Sequence, residues 1–275
     1  MDNRQVDQLI INALSEDSGN GDATSERIFE REDTSVGYLI AKEFGILAGT
    51  KIFSRVFQLL DEGIDIEWFI GEGSKLEVND RIAKISGSTI TILRGERIAL
   101  NLLQRMSGIA SLTRLFVDEV SDYSCRIVDT RKTTPGLRLI EKYAVRVGGG
   151  YNHRFNLSDA IMIKDNHIQA AGGLTNAIKK VKESCPHTMK VEVEIETLDD
   201  LEDAIQAGVD IIMLDNMPVE DMAKGVQKTA GRVILEASGN VSLDTIGLIA
   251  ATGVDVISCG KLTHSAMALD MSLKF

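Results

Sequence analysis

Residues 190–216 read KVEVEIETLDDLEDAIQAGVDIIMLDN and contain one complete strand–helix–strand pattern. Short runs rich in β-branched and apolar residues at 190–195 and 210–214 are typical of buried strands. Between them, residues 198–207 carry apolar side chains at three- and four-residue steps, which predicts an amphipathic helix. Two strands joined by one helix run parallel in the same sheet. This stretch therefore predicts an α/β architecture for the chain around it.

The same alternation continues on both sides of this unit. Further strands are predicted at 126–129, 160–163, 232–235 and 254–258, with helices at 176–183, 219–228 and 243–251. A seventh strand is predicted near 149–153. Such an alternation forms either an α/β barrel or an open doubly wound sheet.

Polar residues and glycines follow all six clear strands, and this favours the barrel. An open sheet gathers its functional residues from two or three loops, whereas a barrel gathers them from the carboxyl ends of most of its strands. The residues in question are Arg131 and Lys132, then Lys164, Asp165 and His167, then Glu194 and Glu196, then Asp215 and Asn216, then Ser238, Gly239 and Asn240, and finally Gly260 and Lys261.

The first 110 residues have a different rhythm, which predicts an α+β domain with short antiparallel strands. Helices are predicted at 4–15 and 52–60, and strands at 38–47, 64–70 and 81–85. From residue 89 the pattern predicts either one long helix or two helices broken near Gly108.

Composition excludes several classes of protein. The chain has 275 residues, 44% of them hydrophobic and 26% charged, and its formal net charge is −11, as in a folded globular protein. A nucleic-acid or membrane-surface binder would need broadly distributed positive charge. Three widely spaced cysteines fit neither a disulfide framework nor a zinc site, and the N-terminus lacks the pattern of a signal peptide. We therefore expect a cytoplasmic protein without nucleic-acid or membrane partners.

One segment departs from this acidic background. Residues 129–168 contain seven Lys or Arg and four Asp or Glu, beside the glycine run 148–150. Cations gathered in an acidic protein predict a pocket for a multiply charged anion. Within the segment, Lys142 and Arg146 have the spacing of a solvated helix face. Farther along the chain, Glu192 fits an exposed acidic strand edge as well as it fits a site.

The motifs of this segment resemble those of quinolinate phosphoribosyltransferase, also called nicotinate-nucleotide pyrophosphorylase (carboxylating). The resemblance begins with TRKTTPGLR, EKYAVR, NHR and IKDNH in the cationic segment. It extends over essentially the whole chain through EDSGNGDATS, RGERIALNLLQRMSGIAS, VEVEIET, IIMLDN, LEASGN and THSAMALDMSLKF.

The resemblance implies a fold, a reaction and an assembly. The fold is an open-faced α/β sandwich (1–110, joined by the tail at about 265–275) with an incomplete, about seven-stranded α/β barrel (111–264). The reaction is that of a type II phosphoribosyltransferase of de novo NAD biosynthesis, which converts quinolinate and phosphoribosyl pyrophosphate to nicotinate mononucleotide, pyrophosphate and CO2 with Mg2+. The assembly is a homodimer with shared active sites.

By motif position, the resemblance also implies a set of site residues. Lys132, Glu194 and Asp215 would be catalytic, with Glu194 and Asp215 facing the ribose hydroxyls and the metal. Ser238, Gly239 and Gly260 would hold the 5′-phosphate. The cationic groups around the two substrates would be Arg97, which the partner subunit would supply, and Arg131, Lys132, His153, Arg154, Lys164 and His167.

Three alternative functions stay open at this point. The chain could transfer phosphoribosyl groups to another pyridine carboxylate, could be a molybdate-transport-associated paralogue, or could be a non-catalytic barrel that binds a phosphometabolite. The intact KDNH and PGLR strings favour quinolinate, and the carboxylates Glu194 and Asp215 favour catalysis over binding alone.

Overall fold

The computed structural model describes residues 3–275, with side chains from Arg4 onward. As far as the long helix, the elements are α1 (Asn3–Ser18), α2 (Ser25–Ile28), β1 (Thr34–Ala41), β2 (Gly45–Ile46), α3 (Thr50–Leu60), β3 (Asp65–Trp68), β4 (Lys75–Leu76), β5 (Arg81–Ser88) and α4 (Thr89–Glu119). The remaining elements are β6 (Arg126–Val128), α5 (Arg138–Val147), β7 (Ile161–Ile163), α6 (Asp165–Ala171), α7 (Leu174–Ser184), β8 (Val191–Ile195), α8 (Leu201–Gln206), β9 (Ile211–Asp215), α9 (Val219–Thr229), β10 (Ile234–Ser238), α10 (Leu243–Ala250), β11 (Val256–Ser258), α11 (Lys261–His264) and β12 (Met271–Lys274).

These elements pack into two compact units. The first contains the chain as far as Arg114 together with Thr133–Gly149 and Leu262–Phe275, and the second contains Leu115–Lys132 and Gly150–Lys261. The predicted domain boundaries, 1–110 and 111–264, stay a prediction, because packing alone defines these units and a domain must also fold by itself.

The first unit is built on a four-stranded antiparallel sheet in the order β12-β1-β5-β3, with a small antiparallel pair formed by β2 and β4. Phe53 and Phe57 of α3 are fully buried, and Phe53 meets Trp68 of β3 edge to face with ring centroids 5.5 Å apart. On α3, the guanidinium of Arg55 donates two hydrogen bonds, of 2.7 and 2.8 Å, to Asp7 of α1. The predicted α+β character of this part of the chain is confirmed.

Helix α4 is continuous over 31 residues, so the alternative of a break near Gly108 is wrong. A Cβ at Gly108 would lie 1.8 Å from the carbonyl oxygen of Met267. This glycine therefore allows the returning chain to pass close to the helix, and it does not interrupt the helix.

The glycine run 148–150 has a similar explanation at its first residue. Gly148 ends α5, and a Cβ there would lie 2.5 Å from the carbonyl oxygen of Ala110 on α4. None of the three glycines lines the anion-type cavity described below. These glycines therefore lie beside the cationic segment in sequence without lining that cavity.

The sequence pattern also predicts the wrong solvent exposure for Lys142. Its spacing with Arg146 predicts a solvated helix face, but Lys142 is 2% exposed, whereas Arg146 is exposed as predicted. On the same helix the buried Glu141 accepts hydrogen bonds from Arg105, at 2.8 and 3.1 Å, and from the backbone N–H of Thr134. The inner face of α5 is thus charged, which hydrophobic periodicity does not anticipate.

The second unit is a six-stranded parallel sheet in the order β6-β11-β10-β9-β8-β7, with helices between most of its strands. The predicted seventh strand is reduced to a parallel bridge between Val128 and Tyr151. Among the described residues, no hydrogen-bonded ladder joins the two edge strands, β6 and β7. The predicted incomplete α/β barrel is confirmed as a fold class.

Side chains alternate across this sheet, and the register shows which ones share a face. Glu194 of β8, Met213 of β9 and Glu236 of β10 lie side by side in register, and Glu192 shares their face two residues before Glu194. Val193 and Ile212 point to the opposite face and are completely buried. One face of the sheet is thus apolar, and the other carries the acidic groups.

No helix in residues 3–275 combines the length and the apolar character that a membrane crossing requires.

Candidate active site

A cavity of about 500 Å³ opens at the carboxyl ends of the parallel strands, entirely within the second unit. All six strands or the segments that follow them contribute to it. The lining residues are Thr130, Arg131, Lys132, His153, Arg154, Met162, Lys164, Glu194, Met213, Asp215, Asn216, Ser238, Gly239, Asn240 and Ser258.

Nine of the twelve residues predicted for the site line this cavity, and three do not. Arg97 is exposed on α4 in the first unit. His167 is exposed on α6 and lines an adjoining cavity of about 400 Å³, which shares Arg154 and Met162 with the first one. Gly260 directly follows β11 and is not a lining residue.

A larger cavity, of about 740 Å³, lies in the first unit beside α3. Four of its polar residues are engaged with one another or with the nearby backbone: Asp7 pairs with Arg55, and Glu72 accepts hydrogen bonds from Thr50 and from the backbone of Gly49. Burial, followed by the nearby Glu72 charge, raises the pKa of Tyr143 to about 12. Since this cavity gathers no excess of cations, its size does not make it the better candidate.

Lys164 and Glu194 form an ion pair across neighbouring strands inside the smaller cavity. Lys164 directly follows β7, and its backbone N–H donates a 3.0 Å hydrogen bond to Nδ1 of His167. This hydrogen bond to the first turn of α6 fixes the backbone at Lys164, from which the lysine side chain extends. The pair places a mobile ammonium group beside a carboxylate where a ligand would enter.

The segment carrying His153 and Arg154 is anchored from below by Asp129, which follows β6. Asp129 is fully buried and accepts hydrogen bonds from the backbone N–H of His153 at 2.9 Å and from Asn152 at 2.6 Å. A buried carboxylate that accepts several hydrogen bonds is a rigid anchor. The positions of the His153 and Arg154 side chains therefore depend on the residue that follows β6.

The guanidinium of Arg154 is held by its own chain segment. It donates a 3.0 Å hydrogen bond to the carbonyl oxygen of Ala160 and contacts the sulfur of Met162 at 3.5 Å. Burial, and then repulsion from Arg131, lowers the pKa of Arg154, while Glu192 opposes this shift. Two arginines close enough to repel each other form a site that an anion would stabilise.

The loops after β9 and β10 are joined to each other. The backbone N–H of Asn216 donates a 2.9 Å hydrogen bond to the carbonyl oxygen of Ser238, and Nδ2 of Asn240 donates to Oδ1 of Asn216 at 3.3 Å. Gly239 has a φ of +99°, and a Cβ there would lie 2.1 Å from Oδ1 of Asn216. Only glycine fits this position, and its backbone is accessible to a phosphate.

The sequence did not identify two acidic residues near the cavity as buried. Glu192 and Glu236 are each 3% exposed and face His153, so the interpretation of Glu192 as an exposed strand edge is wrong. Burial, followed by repulsion from Glu192, raises the pKa of Glu236 to about 7, while His153 and the Ser258 hydroxyl oppose the shift. A single acid within the apolar run VILEA was the signal that could have identified Glu236.

The other residues that the sequence did not single out for the cavity are small or apolar. Thr130 and Ser258 carry one hydroxyl each, and Met162 and Met213 belong to strand interiors. Nothing in their local sequence distinguishes them from core residues. Taken together, the cavity offers cations and arginine forks to anions, two accessible carboxylates, and a glycine loop suited to a phosphate.

Comparison with known proteins places the whole chain in one family. Residues 22–107 match the family described as quinolinate phosphoribosyl transferase, N-terminal domain, and residues 109–274 match its C-terminal domain. A probable nicotinate-nucleotide pyrophosphorylase [carboxylating] of Bacillus subtilis is 45% identical over 273 residues, which covers 99% of this chain and 94% of that protein. The chloroplastic nicotinate-nucleotide pyrophosphorylase [carboxylating] of Arabidopsis thaliana is 43% identical over 281 residues, covering 95% of this chain and 80% of that protein.

Solved structures agree with the sequence matches. The crystal structure of NadC from Streptococcus pyogenes superposes with a TM-score of 0.96 at 46% identity and covers 100% of this chain and 97% of that one. The nicotinate-nucleotide pyrophosphorylase of Francisella tularensis superposes with a TM-score of 0.95 at 42% identity, with the same coverage. The chain described here belongs to the quinolinate phosphoribosyl transferase family.

Proposed function

We propose that this chain is a type II phosphoribosyltransferase of de novo NAD biosynthesis. It converts quinolinate and phosphoribosyl pyrophosphate to nicotinate mononucleotide, pyrophosphate and CO2. Family membership over the whole chain supports the reaction. The structural observation that carries it is the meeting of Arg131, Lys132, Arg154 and Lys164 with two carboxylates in one cavity.

The two substrates would divide the cavity according to charge and shape. Quinolinate carries two carboxylates, and the planar forks of Arg131 and Arg154 suit carboxylate recognition. At the other end, the backbone around Gly239 and the hydroxyl of Ser238 suit the 5′-phosphate of the ribosyl donor. Gly260 and His167 remain proposed contributors from just outside the lining.

Bond formation transfers the ribose from oxygen to nitrogen. The pyridine nitrogen attacks C1′ while the bond from C1′ to the pyrophosphate oxygen breaks, and that electron pair leaves with pyrophosphate. C1′ gains oxocarbenium character on the way, and the carboxylates of Glu194 and Asp215 would stabilise the developing positive charge. Lys132 and Lys164 would balance the negative charge on the departing group.

Decarboxylation follows from the new ring charge. Once the nitrogen is ribosylated, the pyridinium withdraws electrons, so the bond to the adjacent carboxylate breaks with its electron pair left on the ring carbon. CO2 departs and that carbon takes a proton. Because no protein nucleophile is needed, the protein contributes positioning and electrostatics.

We also propose that Mg2+ takes part in this reaction. Magnesium prefers oxygen ligands and is commonly held by one or two carboxylates and substrate phosphates. Glu194 and Asp215 supply carboxylates in the cavity, but Glu194 is already paired with Lys164, so most ligands would come from phosphoribosyl pyrophosphate. When bound, the ion would neutralise charge on the pyrophosphate.

Two further proposals concern the assembly of the protein and its location in the cell. We propose a homodimer in which Arg97 completes the partner subunit's site, supported by the exposure of Arg97 and its place outside the lining. We propose a cytoplasmic location, supported by three cysteines that form no disulfide.

Parallel turnover assays test the reaction. The protein is incubated with phosphoribosyl pyrophosphate and Mg2+ and either quinolinate or nicotinate, and CO2 and mononucleotide are followed. We expect both products with quinolinate and none with nicotinate. Turnover of nicotinate alone would assign the chain to another pyridine carboxylate, and binding without turnover would make it a phosphometabolite-binding barrel.

A further inference from the structure

Two carboxyl groups are buried next to each other beneath the cavity, a feature that the reaction as described above does not use. Glu192 of β8 and Glu236 of β10 are each 3% exposed. Oε2 of Glu192 lies 3.3 Å, and Oε1 of Glu236 lies 3.5 Å, from Nε2 of His153. Both acids therefore converge on one ring nitrogen.

The other ring nitrogen of His153 also has a partner within the protein. Nδ1 accepts a 2.7 Å hydrogen bond from the backbone N–H of Arg154. An imidazole nitrogen that accepts an N–H bond carries no proton, so the ring proton lies on Nε2, facing the two carboxylates. The ring thus connects the buried acids to the backbone of the arginine that faces the substrate.

Burying Glu192 and Glu236 next to each other costs free energy that an apolar core would not. Oε1 of Glu192 and Oε1 of Glu236 have no hydrogen-bond partner among the described residues, and burial of acidic groups is unfavourable unless they are paired. Apolar side chains at these two positions would avoid that penalty. A buried polar cluster next to a binding cavity is therefore better explained by what it positions than by stability.

We propose that Glu192 and Glu236 are positioning residues for the quinolinate half of the site. Their carboxylate oxygens flank Nε2 of His153, and Nδ1 of the same ring accepts a hydrogen bond from the backbone N–H of Arg154. Arg154 is thereby presented to a substrate carboxylate in one orientation. This inference rests on the proposed function and deepens it, since it separates the recognition of quinolinate from that of the ribosyl donor.

The same three side chains also have the composition of a metal site. One ligand atom from each of His153, Glu192 and Glu236 lies within 4.8 Å of the others. The positioning role is favoured over a metal site because the positive charge of Arg154 already lies close enough to Glu192 for the two to attract. Metal content is therefore measured as part of the test.

Steady-state kinetics of three proteins provide that test. Glu192→Gln removes the charge at constant volume, Glu192→Ala removes the acceptor, and Glu220→Gln, on the exposed first turn of α9, is the matched control. We expect the KM for quinolinate to rise about tenfold or more in Glu192→Gln and further in Glu192→Ala. The KM for phosphoribosyl pyrophosphate should change by less than about twofold in both, and Glu220→Gln should match the unaltered protein.

Two further measurements distinguish the positioning role from a folding defect and from a metal site. Nitrogen-15 NMR of the His153 side chain should show an unprotonated Nδ1 in the native protein and a loss of this tautomer preference in Glu192→Gln. Mass spectrometry of the purified protein should find no stoichiometric metal. Equal changes in both KM values, an Nδ1-protonated ring, or one equivalent of metal lost on mutation would overturn the proposal.

Failure of this inference is distinguishable from failure of the proposed function. If the unaltered protein does not turn over quinolinate, the function itself is wrong. If it does, but the Glu192 variants affect the two substrates alike, only the positioning role falls.

Discussion

In the second unit, burial and then neighbouring charges shift the pKa values of Arg154 and Glu236. Arg131 repels Arg154, and Glu192 repels Glu236, so like charges lie close together at two levels of the site. The arginines line the cavity, and the acid pair lies buried beneath them. Binding of an anionic substrate would relieve the repulsion between the two arginines, so the cavity favours anions.

Glu236→Gln is expected to change the pH dependence of stability. The pKa of Glu236 is raised from 4.5 to about 7 in the folded protein, so between these values the folded state binds more protons than the unfolded state. Stability from this group is therefore full below about pH 4.5 and is lost as the pH rises through about 7. Glutamine cannot ionise, so the variant should gain on the native protein by on the order of 2 kcal/mol between about pH 5 and 8.

Urea unfolding of the native protein and of Glu236→Gln, at both ends of this pH range, measures the difference in their free energies of unfolding. Glu220→Gln serves as the control, because Glu220 is exposed and its replacement should give a free-energy difference that does not vary with pH. A Glu236→Gln difference that is the same at both pH values would show that Glu236 is ionised throughout.

At the scale of elements, the loops after β9 and β10 act as one structure. Gly239 makes this possible, because a side chain there would collide with Asn216 and must also adopt a left-handed backbone. Since Asp215 and Ser238 flank these residues, a displaced loop would disturb both the ribose and the phosphate contacts proposed above.

Gly239→Ala is therefore expected to raise the KM for phosphoribosyl pyrophosphate by about tenfold, with a smaller effect on quinolinate. Gly231→Ala is the matched control, since Gly231 precedes the same strand, has a φ of +75° and has open space around a Cβ. Gly231→Ala should lose about 1–2 kcal/mol of stability from backbone strain, and Gly239→Ala should lose more because of its collision, but only Gly239→Ala should lose affinity. Equal KM values in the two variants would contradict the proposed phosphate loop.

The elements were predictable where burial alone determines the pattern. The strands of 190–216 and the helix between them follow directly from apolar runs and helical spacing, and the structure has them within a few residues. The alternative of a helix break at Gly108 was wrong because the role of this glycine is a close approach to a distant part of the chain. Lys142 and Glu192 were misjudged because periodicity assumes that charge faces water.

At the scale of the whole molecule, the sequence identified most of the cavity but not the layer below it. The carboxyl ends of neighbouring parallel strands lie at the same edge of the sheet. Residues such as Lys164, Asp215 and Ser238 could therefore be placed together without a structure. The contacts of His153 with Glu192 and Glu236 join three separate parts of the chain, and no local pattern specifies them. The cavity in the second unit also contains no Arg97, which leads to the proposal of a shared site.

Mixed dimers test that proposal. Arg97→Ala and Lys132→Ala should each be nearly inactive alone, whereas a co-refolded mixture should recover about a quarter of native activity, because half of its dimers carry one intact site. Native gels or sedimentation establish that mixed dimers formed. Activity that stays at the level of the separate variants in verified mixed dimers would contradict a site shared between subunits.

Ribosyl transfer and decarboxylation of quinolinate are expected to occur together in this cavity. The most direct measurement uses quinolinate labelled in the carboxylate adjacent to the ring nitrogen, with phosphoribosyl pyrophosphate and Mg2+. Labelled CO2, pyrophosphate and nicotinate mononucleotide should appear in equal amounts and at the same rate. Pyrophosphate release without labelled CO2, or label retained in the mononucleotide, would contradict the account.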